Sequence, residues 1–99
     1  MSKVLHLVLK HKWYDMIERG EKKEEYRDPT MYWIKRIFDL HNSTSSLIVK
    51  HNIVCFHRGY TNRIMSYEIN DVVISTGKEE WGAEPIRKYL VIRLGKRIN

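Results

Sequence analysis

Gly20-Glu21-Lys22-Lys23-Glu24-Glu25-Tyr26-Arg27 places a glycine, two lysines, three acids and an arginine within eight residues. The run follows an amphipathic pattern, Lys12 to Arg19, in which Trp13, Met16 and Ile17 recur at helical spacing. Gly20 then supplies a C′ stop, because only glycine enters the left-handed region without a Cβ penalty. As a helix surface, the charged run would be a solvated face and nothing more. It reads better as a short strand, Lys23 to Arg27, in which side chains alternate and Glu25 and Arg27 share one sheet face. A phosphate or a nucleobase edge can meet both there. Lys22 falls at the turn, before alternation sets in.

Outward from this strand, Val4 to Leu9 reads as a buried first strand. Asp28-Pro29 has the form of a helix start, an acid cap followed by proline at the first helical position. Met31, Ile34, Ile37 and Phe38 would line one face of that helix. Asp39 to Ser46 is polar and turn-rich, a surface loop, and Leu47 to Val49 is a short strand or part of that loop. Ile53 to His57 and Arg63 to Ile69 form a hairpin about the glycine turn Arg58-Gly59-Tyr60-Thr61-Asn62. A tight turn at Asn70-Asp71 leads to a strand ending at Thr76. Gly77 to Pro85 is a loop carrying Trp81. Tyr89 to Leu94 closes the chain as a strand with Leu90, Ile92 and Leu94 on one face. The expected fold class is α+β, a small mixed β-barrel of about six strands with two short helices near the N-terminus.

The 99 residues make a single domain, 1–99, with no room for a second core. Hydrophobic content of 42% with 30% charged residues suits a soluble globular chain. The apolar runs are too short to cross a bilayer, and no secretory signal is expected. Cys55 has no second cysteine to pair with, so a reducing cytoplasm is the expected location. The net charge is +6. Residues 1–30 nearly balance, with seven basic against six acidic. No acid occurs between Asp39 and Glu68, and five basic residues with no acid follow Glu84. Such blocks suit a polyanionic partner, since basic side chains displace counterions from phosphates; an ordinary basic surface is the plainer account.

The chemistry-bearing pattern is Gly20, Lys22, Glu25, Arg27, or G-x-K-x-x-E-x-R. The carboxylate accepts from a base amino group, and the guanidinium offers a fork of donors to phosphate or carbonyl. The plainer alternative is that Glu25 and Arg27 pair with each other or across the sheet. A second candidate is Phe56-His57-Arg58-Gly59-Tyr60-Thr61. There Tyr60 would stack on a base, Arg58 would hold phosphate, and His57 would serve as acid or base, or else be solvated. Cys55 and His57 share a strand face, but neither C-x-x-C nor H-x-x-x-H spacing occurs. Cys55 therefore reads as structural, and no metal is expected. Trp81 is either a lid over the cleft or a plug in one barrel end. No phosphate-binding glycine loop or dinucleotide fingerprint is present, and no cofactor is expected.

The G-x-K-x-x-E-x-R pattern after a first strand and helix resembles the ASCH domain family, over most of the chain. That resemblance implies a PUA-like β-barrel with a cleft beside the motif strand, and RNA or a modified nucleotide as the partner. The implied contacts are Lys22, Glu25, Arg27, His57, Arg58 and Tyr60. It also implies an alternative, a nucleic-acid-directed hydrolase with Lys22, Glu25 and His57 as catalytic candidates. One such branch resembles amidohydrolases of N4-acetylcytidine, which use a threonine three residues after the lysine. Here Glu25 stands at that position, and a carboxylate cannot act as an activated hydroxyl does. Other relatives of this kind are ribonucleases, for which no residue set carries over.

Overall fold

The computed structural model describes residues 3–40 and 48–99. It is α+β. A five-stranded sheet curls into a half-barrel, two helices pack on it, and a separate two-stranded ribbon lies alongside. The strands are β1 (Val4–Leu9), β2 (Glu24–Arg27), β3 (Phe38–Asp39), β4 (Ile48–Val49), β5 (Ile53–Arg58), β6 (Ile64–Thr76) and β7 (Lys88–Arg97). The helices are α1 (His11–Glu18) and α2 (Met31–Ile37), and a single 3-10 turn spans Glu79–Trp81. Sheet order is β1-β5-β6-β7-β2, with β1 and β5 parallel and every other pair antiparallel. The described residues hold seven strands against the about six expected, because two expected strands merge into β6 and the segment after α2 adds the two-residue ribbon β3–β4.

β1 alternates strictly. Leu5, Leu7 and Leu9 are buried while Val4, His6 and Val8 face outward. Leu5 and Leu7 meet Val54 and Phe56 across the parallel register. Tyr14 and Ile17 of α1, Ile37, Met65, Leu90 and Ile92 complete this core. A smaller cluster of Tyr89, Val91 and Ala83, with Tyr26 and Val73, covers part of the other face. β7 is therefore buried on both faces from Tyr89 to Ile92.

α1 ends as its glycine dictates. Gly20 has φ +81°. Its N–H donates to Ile17 O at 3.0 Å, and Glu21 N–H donates to Met16 O at 2.9 Å. This is the two-bond Schellman closure. Lys22 N–H reaches the same Met16 carbonyl at 3.1 Å, which pins the residue where the chain turns into β2.

Three local expectations are corrected. α2 is capped by Thr30, whose Oγ1 accepts from Trp33 N–H, and not by Asp28. Asp28 is engaged by Arg87 at 2.6 Å, so Pro29 precedes the cap. Met31 is exposed, and the inward face of α2 carries Trp33, Ile34 and Ile37. No turn forms at Asn70-Asp71. β6 runs through as 13 residues, with register shifts against β7 between Tyr67 and Ile69 and between Ile69 and Asp71. The irregularities bend the strand so that its first part pairs β5 and its second part β7, which is how one strand curls a sheet. Of the Asp39 to Ser46 segment, residues 41–46 lie outside the described residues, as does Leu47.

Candidate functional site

β1 and β2 are the two edges of the curled sheet, and they come close to each other without pairing. Arg27 spans the seam, with Nη2 3.4 Å from Val8 O. Cavities open on either side of it. One, of about 300 Å³, is lined by Val8, Leu9 and Lys10 from one edge and by Glu25, Tyr26 and Arg27 from the other. Trp13, Trp81, Gly82 and Tyr89 complete its walls. The other, of about 450 Å³, is lined by His6, Leu7, Val8, Arg27, Trp33, Arg36 and His57.

Glu25 and Arg27 lie on one face of β2, opposite Ile92 and Leu90, as alternation requires. Glu25 is 7% exposed and is held by two cations. Lys22 Nζ lies 3.1 Å from Oε1, and Arg27 Nη2 lies 3.1 Å from Oε2. The plainer sequence reading of the pair holds, since the two residues bond to each other; both also line the first cavity.

Lys22 is 2% exposed. Its ammonium donates to Trp81 O at 2.8 Å and lies 4.7 Å from the centre of the Tyr26 ring. Burial lowers its pKa from the ordinary lysine value, and Glu25 opposes that shift. Lys22 stands behind the cavity wall. It fixes Glu25 from beneath and ties the Trp81 turn to β2. Trp81 itself lines this cavity. The Tyr26 hydroxyl donates to Glu24 at 2.9 Å and accepts from Lys78 N–H at 3.0 Å, with its pKa raised chiefly by burial.

Arg27 is the polar group with capacity to spare. Its guanidinium stacks 5.0 Å from the Trp33 ring centre. Its Nε is buried and has no hydrogen-bond partner among the described residues. An unpaired donor on a guanidinium is costly unless something supplies the acceptor.

The second sequence candidate divides. Arg58 is committed to Asp15 through two 2.9 Å bonds, which raise its own pKa and hold the Asp15 carboxyl below its ordinary value. The structure gives that guanidinium an intramolecular carboxylate in place of a phosphate. Tyr60 is 98% exposed at the turn, so it covers no core. His57 points away from both and lines the second cavity.

No family model, curated protein or solved structure matches this chain.

Trp13, Trp81 and Tyr89 were legible as aromatic residues but not as walls of one cavity, because they come from α1, the 3-10 turn and β7. Lys10 and Arg36 carried no signal beyond their charge. His6 gives no signal in sequence beyond a polar position within the first strand. It lies against His57, Nδ1 to Nε2, at 3.0 Å, and Cys55 Sγ is 3.9 Å from the same His57 nitrogen. These three side chains form the group among the described residues able to hold a metal ion. The parallel register that opposes His6 to Cys55 joins positions that no local spacing rule connects.

Proposed function

We propose that this domain binds RNA or a modified nucleotide at the seam between β1 and β2, as its resemblance to PUA-like ASCH domains implies. The observation that carries the reading is Arg27, a half-buried guanidinium whose Nε is buried and unpartnered among the described residues, between two cavities walled by aromatic rings. Single-stranded nucleic acid needs flat apolar faces for its bases and forked cations for its phosphates. Trp13, Trp81 and Tyr89 offer the faces. Arg27 offers the fork, with Lys10 at the rim. Glu25 has lone pairs left after its two ion pairs and accepts from a base amino group. Tyr60 and the exposed Lys88, Lys96 and Arg97 offer further contacts, whereas Arg87 and Arg93 are held by carboxylates. Cys55 is a buried free thiol, in keeping with a reducing compartment.

The test is binding of a labelled single-stranded RNA by fluorescence anisotropy. Arg27→Ala should weaken binding at least tenfold while leaving the circular dichroism spectrum unchanged. Affinity should also fall steeply with salt, as counterion release demands. Unchanged affinity in a folded Arg27→Ala protein, or a flat salt response, would remove the site.

A hydrolase is the second reading, favoured by one observation. Lys22 Nζ lies 3.1 Å from Glu25 Oε1, the spacing of a pair that passes a proton, and Glu25 lines the first cavity. His57 would have to act from across Arg27. Incubation with acetylated nucleosides and with small RNAs separates the readings, since absence of turnover in both leaves binding alone.

A further inference from the structure

We propose that His6, Cys55 and His57 form a mononuclear site for a divalent ion of the zinc class, with its fourth position open to the cavity beside Arg27. The inference shares His57 and the second cavity with the RNA reading but rests on ligand geometry alone, and its test reads metal rather than RNA.

The site is assembled by topology. β1 and β5 run parallel with His6 opposite Cys55, and His57 lies two residues further along the same face of β5. Strict burial alternation in β1 sends Leu5 and Leu7 inward and His6 outward, onto the face that carries Cys55 and His57. The three ligand atoms all lie within 4.8 Å of one another. The measured edges are 3.0 Å between the two imidazole nitrogens and 3.9 Å from the His57 nitrogen to sulfur. Tetrahedral zinc with bonds of about 2.0 Å to nitrogen and about 2.3 Å to sulfur requires edges of about 3.4 Å and about 3.6 Å. The third pair, His6 nitrogen and Cys55 sulfur, lies within 4.8 Å. To hold a metal ion that pair must close by up to about 1.2 Å while the other two edges shift by a few tenths of an ångström, movements that side-chain rotation supplies.

The donor chemistry agrees. One thiolate and two neutral imidazoles suit a borderline-soft ion such as zinc, and three protein ligands with one open position is the arrangement of reactive rather than purely structural zinc. Cys55 is buried and His57 half-buried, while His6 lies at the outer side. Arg36 Nη2 donates to His6 O at 2.9 Å and so fixes the backbone of the outermost ligand. On loading, the Cys55 S–H bond breaks, its proton passes to the buffer, and the thiolate bonds the metal. His6 binds through Nδ1 and keeps its proton on Nε2, and His57 does the reverse. One thiolate leaves a net positive centre, and Arg27 and Arg36 line the same cavity. The open position therefore takes an anionic oxygen, such as hydroxide, carboxylate or phosphate.

The experiment uses the full chain, stripped with chelator and held in a non-thiol reductant, titrated with cobalt(II) as a spectroscopic stand-in for zinc. One equivalent should produce intense visible bands of four-coordinate cobalt and a near-ultraviolet thiolate charge-transfer band, both erased by one equivalent of zinc. Cys55→Ser should lose the charge-transfer band. His6→Ala and His57→Ala should each weaken binding at least tenfold with unchanged circular dichroism. His6 is exposed, so His6→Ala reports even where the buried Cys55→Ser fails to fold. A pale six-coordinate spectrum without charge transfer would overturn the site. So would cobalt binding that survives His6→Ala and His57→Ala unchanged, which would mark scattered surface histidines.

Discussion

Lys22 and Arg27 are both cations bonded to Glu25, yet their surroundings assign them different work. Lys22 has lost its water and exchanged it for one carbonyl, one carboxylate and the face of Tyr26. Arg27 keeps part of its surface and an unused donor. Truncating one partner of a buried pair leaves the other desolvated, at about 3–5 kcal/mol when nothing else compensates. Glu25 still has Arg27 when Lys22 is removed, so Lys22→Ala should cost about 2–3 kcal/mol of stability, just below that range. Arg27→Ala leaves Glu25 on Lys22 and should cost about 1 kcal/mol or less, as for partly exposed pairs. The ranking should reverse for RNA, with Arg27→Ala the more damaging to affinity among folded molecules. Urea denaturation and anisotropy on the same two proteins check this, and equal effects in both measurements would show that the pair acts as one unit. The motif residues were legible as a set, but the burial of Lys22 was not. A lysine in a charge run reads as solvated, and what buries this one is a carbonyl 59 residues away in sequence.

The turn between β6 and β7 shows how an element with almost no regular structure shapes the cavity. Glu79–Trp81 makes one 3-10 turn, closed by Gly82 at φ +104°. A Cβ on Gly82 would stand 2.9 Å from Trp13 Cζ2, so the glycine is needed both for its backbone angle and for its bareness. Gly82→Ala should therefore destabilise the fold by about 1–3 kcal/mol through backbone strain and push Trp13 out of the wall. Thermal denaturation and Trp fluorescence report the two effects, and a variant with native melting and an unchanged emission maximum would contradict the assignment. Elements with one dominant signal were legible in the chain: α1 from its spacing and Gly20, and the β5–β6 hairpin from its glycine turn. The Asn70-Asp71 turn was misread because local chemistry favours a turn there, while pairing to β7 on one side and β5 on the other keeps the strand extended. Thr30 displaced Asp28 as cap for a similar reason, since Arg87, 59 residues on, claims the aspartate.

Across the whole molecule the excess positive charge is organised by neutralisation as much as by exposure. Arg19, Arg58 and Arg93 each hold a carboxylate, at Glu21, Asp15 and Asp71, and each lowers the pKa of its partner mainly through the hydrogen bond. His51 is also shifted down, by burial first and by Lys50 next. The seam and its two cavities lay beyond sequence reading because they exist only where opposite edges of one curled sheet meet, and the histidine–cysteine group because it needs the parallel pairing of β1 with β5. The arginine pairs are equally non-local, and they set the acid limb of stability. A carboxylate whose folded pKa lies below its unfolded value contributes stability above the unfolded value and loses it as pH falls through the folded one. His51 follows the same sign, because it is favoured neutral in the fold and must be charged in acid. All four groups act in one direction, so the melting temperature should fall steadily from the histidine reference of 6.5 down past the aspartate reference of 3.8. At the alkaline end Tyr14 and Tyr67, raised by burial, reverse the slope as pH climbs beyond their ordinary value of 10.0. Asp15→Asn should lower the melting temperature at neutral pH and make the acid limb shallower, since one of its titrating groups is gone. A variant with the same acid slope as the parent would show that the Asp15–Arg58 bridge contributes nothing to folding, which would return Arg58 to the set of cations available to a phosphate.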